Sequence, residues 1–494
     1  MVGKHQLTPY PYSISTPDGT PVKTAKSKLA TYLEAGLREV QLTVPSENSV
    51  TDAMMLLHSL TKLPSTFEEL AEVIFKMIPK SKRSDFVADF YKKNSIKSIE
   101  WSRRGSSDPI LLGGPSTIVP KNWQEFLKNE RNKTQLIDLL LNEWSSNKYA
   151  EHLYGREVYF VNGVDCFLLQ SADGLVTSKT LVQDLCSNQE EADTRIILHV
   201  LRILKQEPSI DSITVRCSDT DVLVLLMYYC IDVSVPVYFD TGHGNHRRLI
   251  SINEAIAFHG VELCKALPGL HAFTGSDTTS AMISKGKIRT LKKLLKHLKY
   301  LLTFQNYGKE ERPSPEVMSE SEAFTCIVFG REKCKLVSDA RYELFMKKFK
   351  ANKFFLSSFE GTDMFYLPPC QAALNLHILR ANYQAFVWKH AHIAFVELPP
   401  IQTSGWTLID NRLSILWNDG PIVPEDLASI SKDPQPETST PVEDGDPLEE
   451  AEEEADPDDD FEFEDDGEVI DSDDDSDDED WNDGIDESDT DDDE

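Results

Sequence analysis

A chain of 494 residues, 40% hydrophobic and 27% charged, has enough length for a sizeable core and for two or three structural units. Its formal charge of −33 would exclude ready contact with a polyanion, were the charge evenly spread. However, 35 of the 83 acids and one of the 50 bases, Lys432, fall in residues 431–494, which leaves residues 1–430 with 48 acids and 49 bases.

Eight cysteines with no CxxC pair and no short Cys/His spacing argue against a zinc module or a disulfide framework, and for reduced thiols inside a cell. The N-terminal "MVGKHQLTPYPYSISTPDG" lacks the apolar centre of a signal peptide, and the longest apolar run, "VLVLLMYYCI", is too short to span a bilayer. The expectation is a soluble intracellular protein with no membrane partner.

In chain order, residues 1–50 combine turn signals ("PYPYSISTPDGTP") with a helical pattern ("KSKLATYLEAGL") and read as an N-terminal arm. Over 51–300, apolar runs alternate with amphipathic segments, the mark of an α/β fold with a mainly parallel sheet. Strands are expected at "FVADF", "VYFVNGV", "ITVRCS" and "VPVYF". A helix is expected over "NWQEFLKNERNKTQLIDLLLNEW", where Trp123, Phe126, Leu127, Leu136, Leu139 and Leu140 recur at helical spacing.

Residues 301–430 read as a mostly helical extension that includes "CQAALNLHILRANYQAFVWKHAHI". Residues 431–494 are too acidic and too poor in apolar side chains to form a core, and are expected to be a disordered acidic tail. Such a tail suits a basic protein partner, or serves solubility alone. The basic run "PKSKR" (79–83) is a weak nuclear-import signal. No internal repeat is present.

The run "RCSDTDVLVLL" carries Asp219 and Asp221 at the start of an otherwise apolar stretch. A buried carboxylate is costly unless a cation, a hydrogen-bond cage or solvent meets it. Asp219 directly follows a predicted strand, and in a parallel sheet ligands bind at the carboxyl ends of strands. A similar pair, Glu191 and Asp193, opens the amphipathic "NQEEADTRIILHVLRIL", and Asp277 follows Gly275 in "AFTGSDTTSAM".

Each of these has an ordinary structural reading. "EEAD" can be the charge cluster of a helix N-terminus, "SDTD" an Asp-capped loop and "GSDTTS" an N-cap. Several acids gathered at element ends are also what a divalent-metal site requires.

Their order, "EADTRIILHVL", then "CSDTDVLVL", then "FTGSDTTSAMISKGK", resembles the flap-endonuclease/XPG-like branch of PIN-like nucleases over about residues 50–300. The nearest comparison within it is a group of mobile-element-associated PIN-like proteins. The resemblance implies a PIN-like three-layer α/β fold with a mainly parallel sheet and a helix-two-turn-helix element. It implies two further acids upstream, for which "TDAMMLLHSL" offers Asp52 and "VADFYKKNSIKSIEWSRRG" offers Asp89.

On this basis Asp52, Asp89, Glu191 and Asp193 are expected to hold one Mg²⁺ or Mn²⁺, and Asp219, Asp221 and Asp277 a second. The implied activity is two-metal hydrolysis of DNA phosphodiesters at flaps or junctions. An inactive module that binds nucleic acid or protein is the alternative. Lys97, Arg103 and Arg104, after Asp89, and Lys285, Gly286 and Lys287 in "SKGK" are expected to meet phosphates. His58 and His271 read as structural histidines.

Overall fold

The strands are β1 (Asn48–Asp52), β2 (Arg83–Val87), β3 (Glu157–Asn162), β4 (Asp165–Gln170), β5 (Ser178–Leu181), β6 (Ile213–Arg216), β7 (Val237–Thr241) and β8 (Arg248–Ser251). They form one sheet in the order β5-β4-β3-β2-β1-β6-β7-β8. Its centre, β3-β2-β1-β6-β7, is parallel, and β4, β5 and β8 join antiparallel at the margins. In this computed structural model the described residues are 3–41, 45–91, 95–96, 107–206, 210–351, 365–409 and 412–424. All of them belong to one compact unit, Met1–Lys432. The acidic tail expected over 431–494 lies outside the described residues.

Helices that bear on the site are α1 (Ser27–Glu34), α2 (Ala53–His58), α3 (Phe67–Met77), α4 (Glu130–Trp144), α5 (Ala192–Gln206), α6 (Thr220–Tyr229), α7 (Val261–Phe273), α8 (Lys287–Lys296) and α9 (Gln371–Lys389). Both faces of the sheet are covered, as a parallel sheet requires. Along β3, Val158 and Phe160 join a cluster with Leu70, Ile74, Leu140 and Trp144 from α3 and α4. Tyr159 and Val161 point the other way and join a cluster with Ile196 and Val200 of α5, Val222 of α6 and Leu374 of α9. The run "VYFV" is therefore apolar throughout because both of its faces are buried.

Two expected elements shift for local reasons. The strand expected at "FVADF" begins earlier, at Arg83, and ends at Val87. Its polar opening is tolerated because the Arg83 guanidinium donates two hydrogen bonds of 2.8 Å to the Asp85 carboxylate. The single helix expected over 122–144 is two, Trp123–Leu127 and α4. Asn129 restarts it, its side chain accepting from the backbone N–H groups of Arg131 at 2.9 Å and Asn132 at 3.3 Å.

Residues 3–41 are not a separate arm. Ile14, Leu29 and Leu33 are fully or almost fully buried in the cluster that also holds Val50 and Val215 of the sheet. The same cluster takes in Phe304, Phe324, Trp388 and Trp417, so the expected C-terminal extension shares the core as well. All eight cysteines are buried and unpaired. Among the described residues no helix is long and apolar enough to cross a membrane.

From β1 the chain builds outward through β2 and β3 on one side, then returns to build β6 and β7 on the other. The order therefore reverses between β1 and β6, and a crevice is expected outside the carboxyl ends of those two strands.

Candidate metal centre

The acids gather at that reversal. Asp52 is the last residue of β1 and caps α2, its Oδ1 accepting from the N–H groups of Met54 at 2.8 Å and Met55 at 3.4 Å. Its Oδ2 accepts from the Cys217 thiol at 3.4 Å, and Cys217 immediately follows β6. Asp89, two residues past β2, accepts on Oδ1 from the N–H of Ala192, the first residue of α5, at 2.8 Å. Asp219 caps α6, its Oδ1 accepting from the N–H of Asp221 at 2.8 Å. The N-terminal ends of α5 and α6 thus carry their partial positive charge to the same cluster.

Oxygens of Asp193, Asp219 and Asp221 all lie within 4.8 Å of one another. Asp277 stands in the 274–286 loop between α7 and α8, in a turn opened by Gly275. At φ +106 with Ala281 backbone 3.0 Å from where a Cβ would sit, this position favours glycine. Lys26, the residue before α1, reaches into the group. Its Nζ is 2.5 Å from Asp277 Oδ1, 3.1 Å from Asp221 Oδ2 and 3.9 Å from Asp219 Oδ1. His271 of α7 donates from Nε2 to the other Asp221 oxygen at 2.7 Å, and its buried ring stacks on Trp388 at 5.3 Å between centroids.

Crowding and burial set the charge states. Burial, with the neighbouring Asp89 charge, raises Asp52 to about 7. Burial and Asp221 raise Asp219 to about 6 against the pull of Lys26. Asp221 is also raised, chiefly by burial. Burial and the nearby Asp52, Asp219 and Asp193 hold the Cys217 thiol well above its ordinary range, so it stays a neutral donor. Burial alone would weaken the Lys26 ammonium, but Asp219, Asp221 and Asp277 outweigh it and keep the lysine charged.

Two other buried acids show the contrast. Burial alone would raise Asp85, yet Arg83 and His199 hold it below its ordinary value, His199 Nδ1 lying 2.7 Å away. Asp240 at the end of β7 is bridged by Arg216 at 2.8 Å and Arg247 at 2.6 Å. Those acids are neutralised by arginines, whereas Asp219, Asp221 and Asp277 converge on one ammonium. The all-oxygen set of Asp193, Asp219 and Asp221 fits a hard divalent ion such as Mg²⁺ or Mn²⁺.

Of the seven expected acids, Asp193, Asp219 and Asp221 form the close group. Asp52, Asp89, Asp277 and Glu191, the last buried one residue ahead of α5, lie outside that group. Lys97, Arg103 and Arg104 lie outside the described residues. Lys287 is corrected: it is buried, and its ammonium donates inward to the carbonyl of His271 at 3.0 Å, to Thr274 Oγ1 at 3.1 Å and to the carbonyl of Gly275. A side chain so engaged, with its ammonium pKa lowered to about 7 chiefly by burial, braces the loop and is turned away from a phosphate outside.

Lys285 lies over the Phe329 ring at 5.0 Å, and burial together with Arg289 lowers it to about 8. Gly286 is the N-cap of α8. His58 is exposed and pairs with Gln124 Oε1 at 2.9 Å.

His271 is a functional candidate that sequence reasoning named but read as a structural histidine, and Lys26 is one that it missed. So is the outer face of α8, where Arg289, Lys292 and Lys296 are exposed while Lys287, Thr290, Leu291 and Leu294 face inward. The apolar spacing of "KIRTLKKLLK" carried that signal; no comparable signal in the sequence marked Lys26. No protein-family model matches this chain, and no curated protein matches it in sequence.

Proposed function

We propose that this protein is a divalent-metal-dependent nuclease, PIN-like and similar to flap endonucleases, that hydrolyses DNA phosphodiesters at single-strand/duplex junctions. The observation that carries this reading is the approach of Asp193, Asp219 and Asp221 to within 4.8 Å of one another, beside the reversal of strand order. These three would hold Mg²⁺ or Mn²⁺, with Asp52 and Asp89 alongside. When bound, the ion would offset phosphate charge and acidify a water.

The chain's own groups prepare the site. His271, buried and kept neutral chiefly by that burial, donates to Asp221 and fixes its carboxylate. The neutral Cys217 thiol fixes Asp52 in the same way. Arg289, Lys292 and Lys296 on the outer face of α8 would track a duplex backbone, replacing Lys287 in the role first expected for it.

One observation favours the alternative, an inactive interaction module: Lys26 already neutralises part of the cluster without a metal. The test is cleavage of a labelled 5′-flap and a matched plain duplex by the full chain in Mg²⁺, Mn²⁺ or EDTA, beside the Asp219→Asn/Asp221→Asn variant. Metal-dependent cutting that the variant loses is the expected result. Folded protein that binds these substrates without cutting them would favour the module.

A further inference from the structure

The resemblance implies a second divalent ion on Asp219, Asp221 and Asp277, but an ammonium stands among those three carboxylates. Lys26 Nζ is 2.5 Å from Asp277 and 3.1 Å from Asp221, both at hydrogen-bond distance, and 3.9 Å from Asp219, an ion-pair contact. Its side chain is only 21% exposed. The backbone behind it is anchored, since Leu29 and Leu33 of α1 lie in the core. Three residues earlier, Lys23 donates to the backbone carbonyls of Asp277 at 2.6 Å and Ser276 at 3.4 Å. The segment carrying Lys26 and the loop carrying Asp277 are therefore tied at two points.

Both Asp221 oxygens are engaged, Oδ1 by His271 and Oδ2 by Lys26. A two-metal centre needs its ions roughly 3.5–4 Å apart, bridged by shared carboxylates. A second ion on this side would have to enter the space that Nζ fills.

We propose that Lys26 is a built-in cation standing in for the second metal, so that the site takes one divalent ion, on Asp193, Asp219 and Asp221. This rests on the metal-dependent reading above. Lys26 is then a positioning residue: it holds Asp219, Asp221 and Asp277 in register and supplies a fixed positive charge beside the ion. No electron or proton transfer is asked of it.

The test is Mn²⁺ stoichiometry on the full chain, read from the electron paramagnetic resonance signal of free Mn²⁺, with thermal melting in parallel. Wild type and Lys26→Arg should each bind one ion per chain, and Lys26→Met two. Metal-free Lys26→Met should melt below wild type and recover with Mn²⁺ by a larger shift than wild type shows. Two ions bound to wild type, or a single ion bound to folded Lys26→Met, would overturn the inference while leaving the nuclease reading intact. No Mn²⁺ bound to wild type would overturn both. The wild-type count does not depend on any variant folding.

Discussion

Asp52, raised to about 7, and Asp219, raised to about 6, both start from an ordinary value of 3.8 and sit where their neutral forms are favoured in the fold. At these two positions the metal-free native state binds protons more tightly than the unfolded chain, and their contribution to stability falls as pH rises from about 4 through about 7; the buried His271, held neutral well below its ordinary 6.5, works in the opposite direction below about 6.5. Asp85 works in the opposite direction, but it is held below 3.8 and loses its contribution only in more acidic solution. In EDTA the Asp52→Asn/Asp219→Asn variant is therefore expected to gain in melting temperature on the wild type between about pH 5 and pH 8, and Mn²⁺ to raise the wild type more at pH 8 than at pH 5. A metal effect independent of pH would count against the acids as its ligands. Asp219 and Asp221 were legible as candidate-site residues because a carboxylate in an apolar run needs a partner. Their partners were not, since Lys26 lies 195 positions from Asp221 and His271 lies 50 from it.

Among the elements, α8 divides its basic residues by face. Lys287 is turned in to brace the 274–286 loop, and Arg289, Lys292 and Lys296 are turned out. If the outer face tracks a duplex, Arg289→Gln/Lys292→Gln/Lys296→Gln should weaken binding to all sequences alike and lower the salt slope by up to about three. Melting should change little, because the three are exposed. An unchanged slope, measured by fluorescence anisotropy across salt concentrations, would move the interface elsewhere. Strands β2, β3, β6 and β7 were legible from their apolar runs, whereas β1, β4, β5 and β8 and the ends of β2 were not. A strand opening on Arg83 and Asp85 looks like a loop until the two are seen to neutralise each other.

Across the whole molecule, residues 3–41 are as much a part of the core as the sheet. Ile14, Leu29 and Leu33 are at most 2% exposed. Burying each such side chain stabilises by about 1.5–3 kcal/mol, a large share of the 5–15 kcal/mol typical of a domain. A chain starting at residue 45 is therefore expected to lose its cooperative melting transition, followed by circular dichroism. Retention of the wild-type melting temperature would show that the segment is dispensable.

The local grammar of this chain was set by its sequence. Apolar runs on doubly buried strands, helical spacing and the preference of Asp for helix caps are properties of neighbouring residues, and they marked the α/β architecture and the acids at element ends. Tertiary structure decided what met those acids. It brought Lys26 from the N-terminal segment and His271 from α7 to Asp221, turned Lys287 inward, and set Asp52 beside Cys217. Such contacts join residues from different elements, and the sequence holds no local trace of them for that reason.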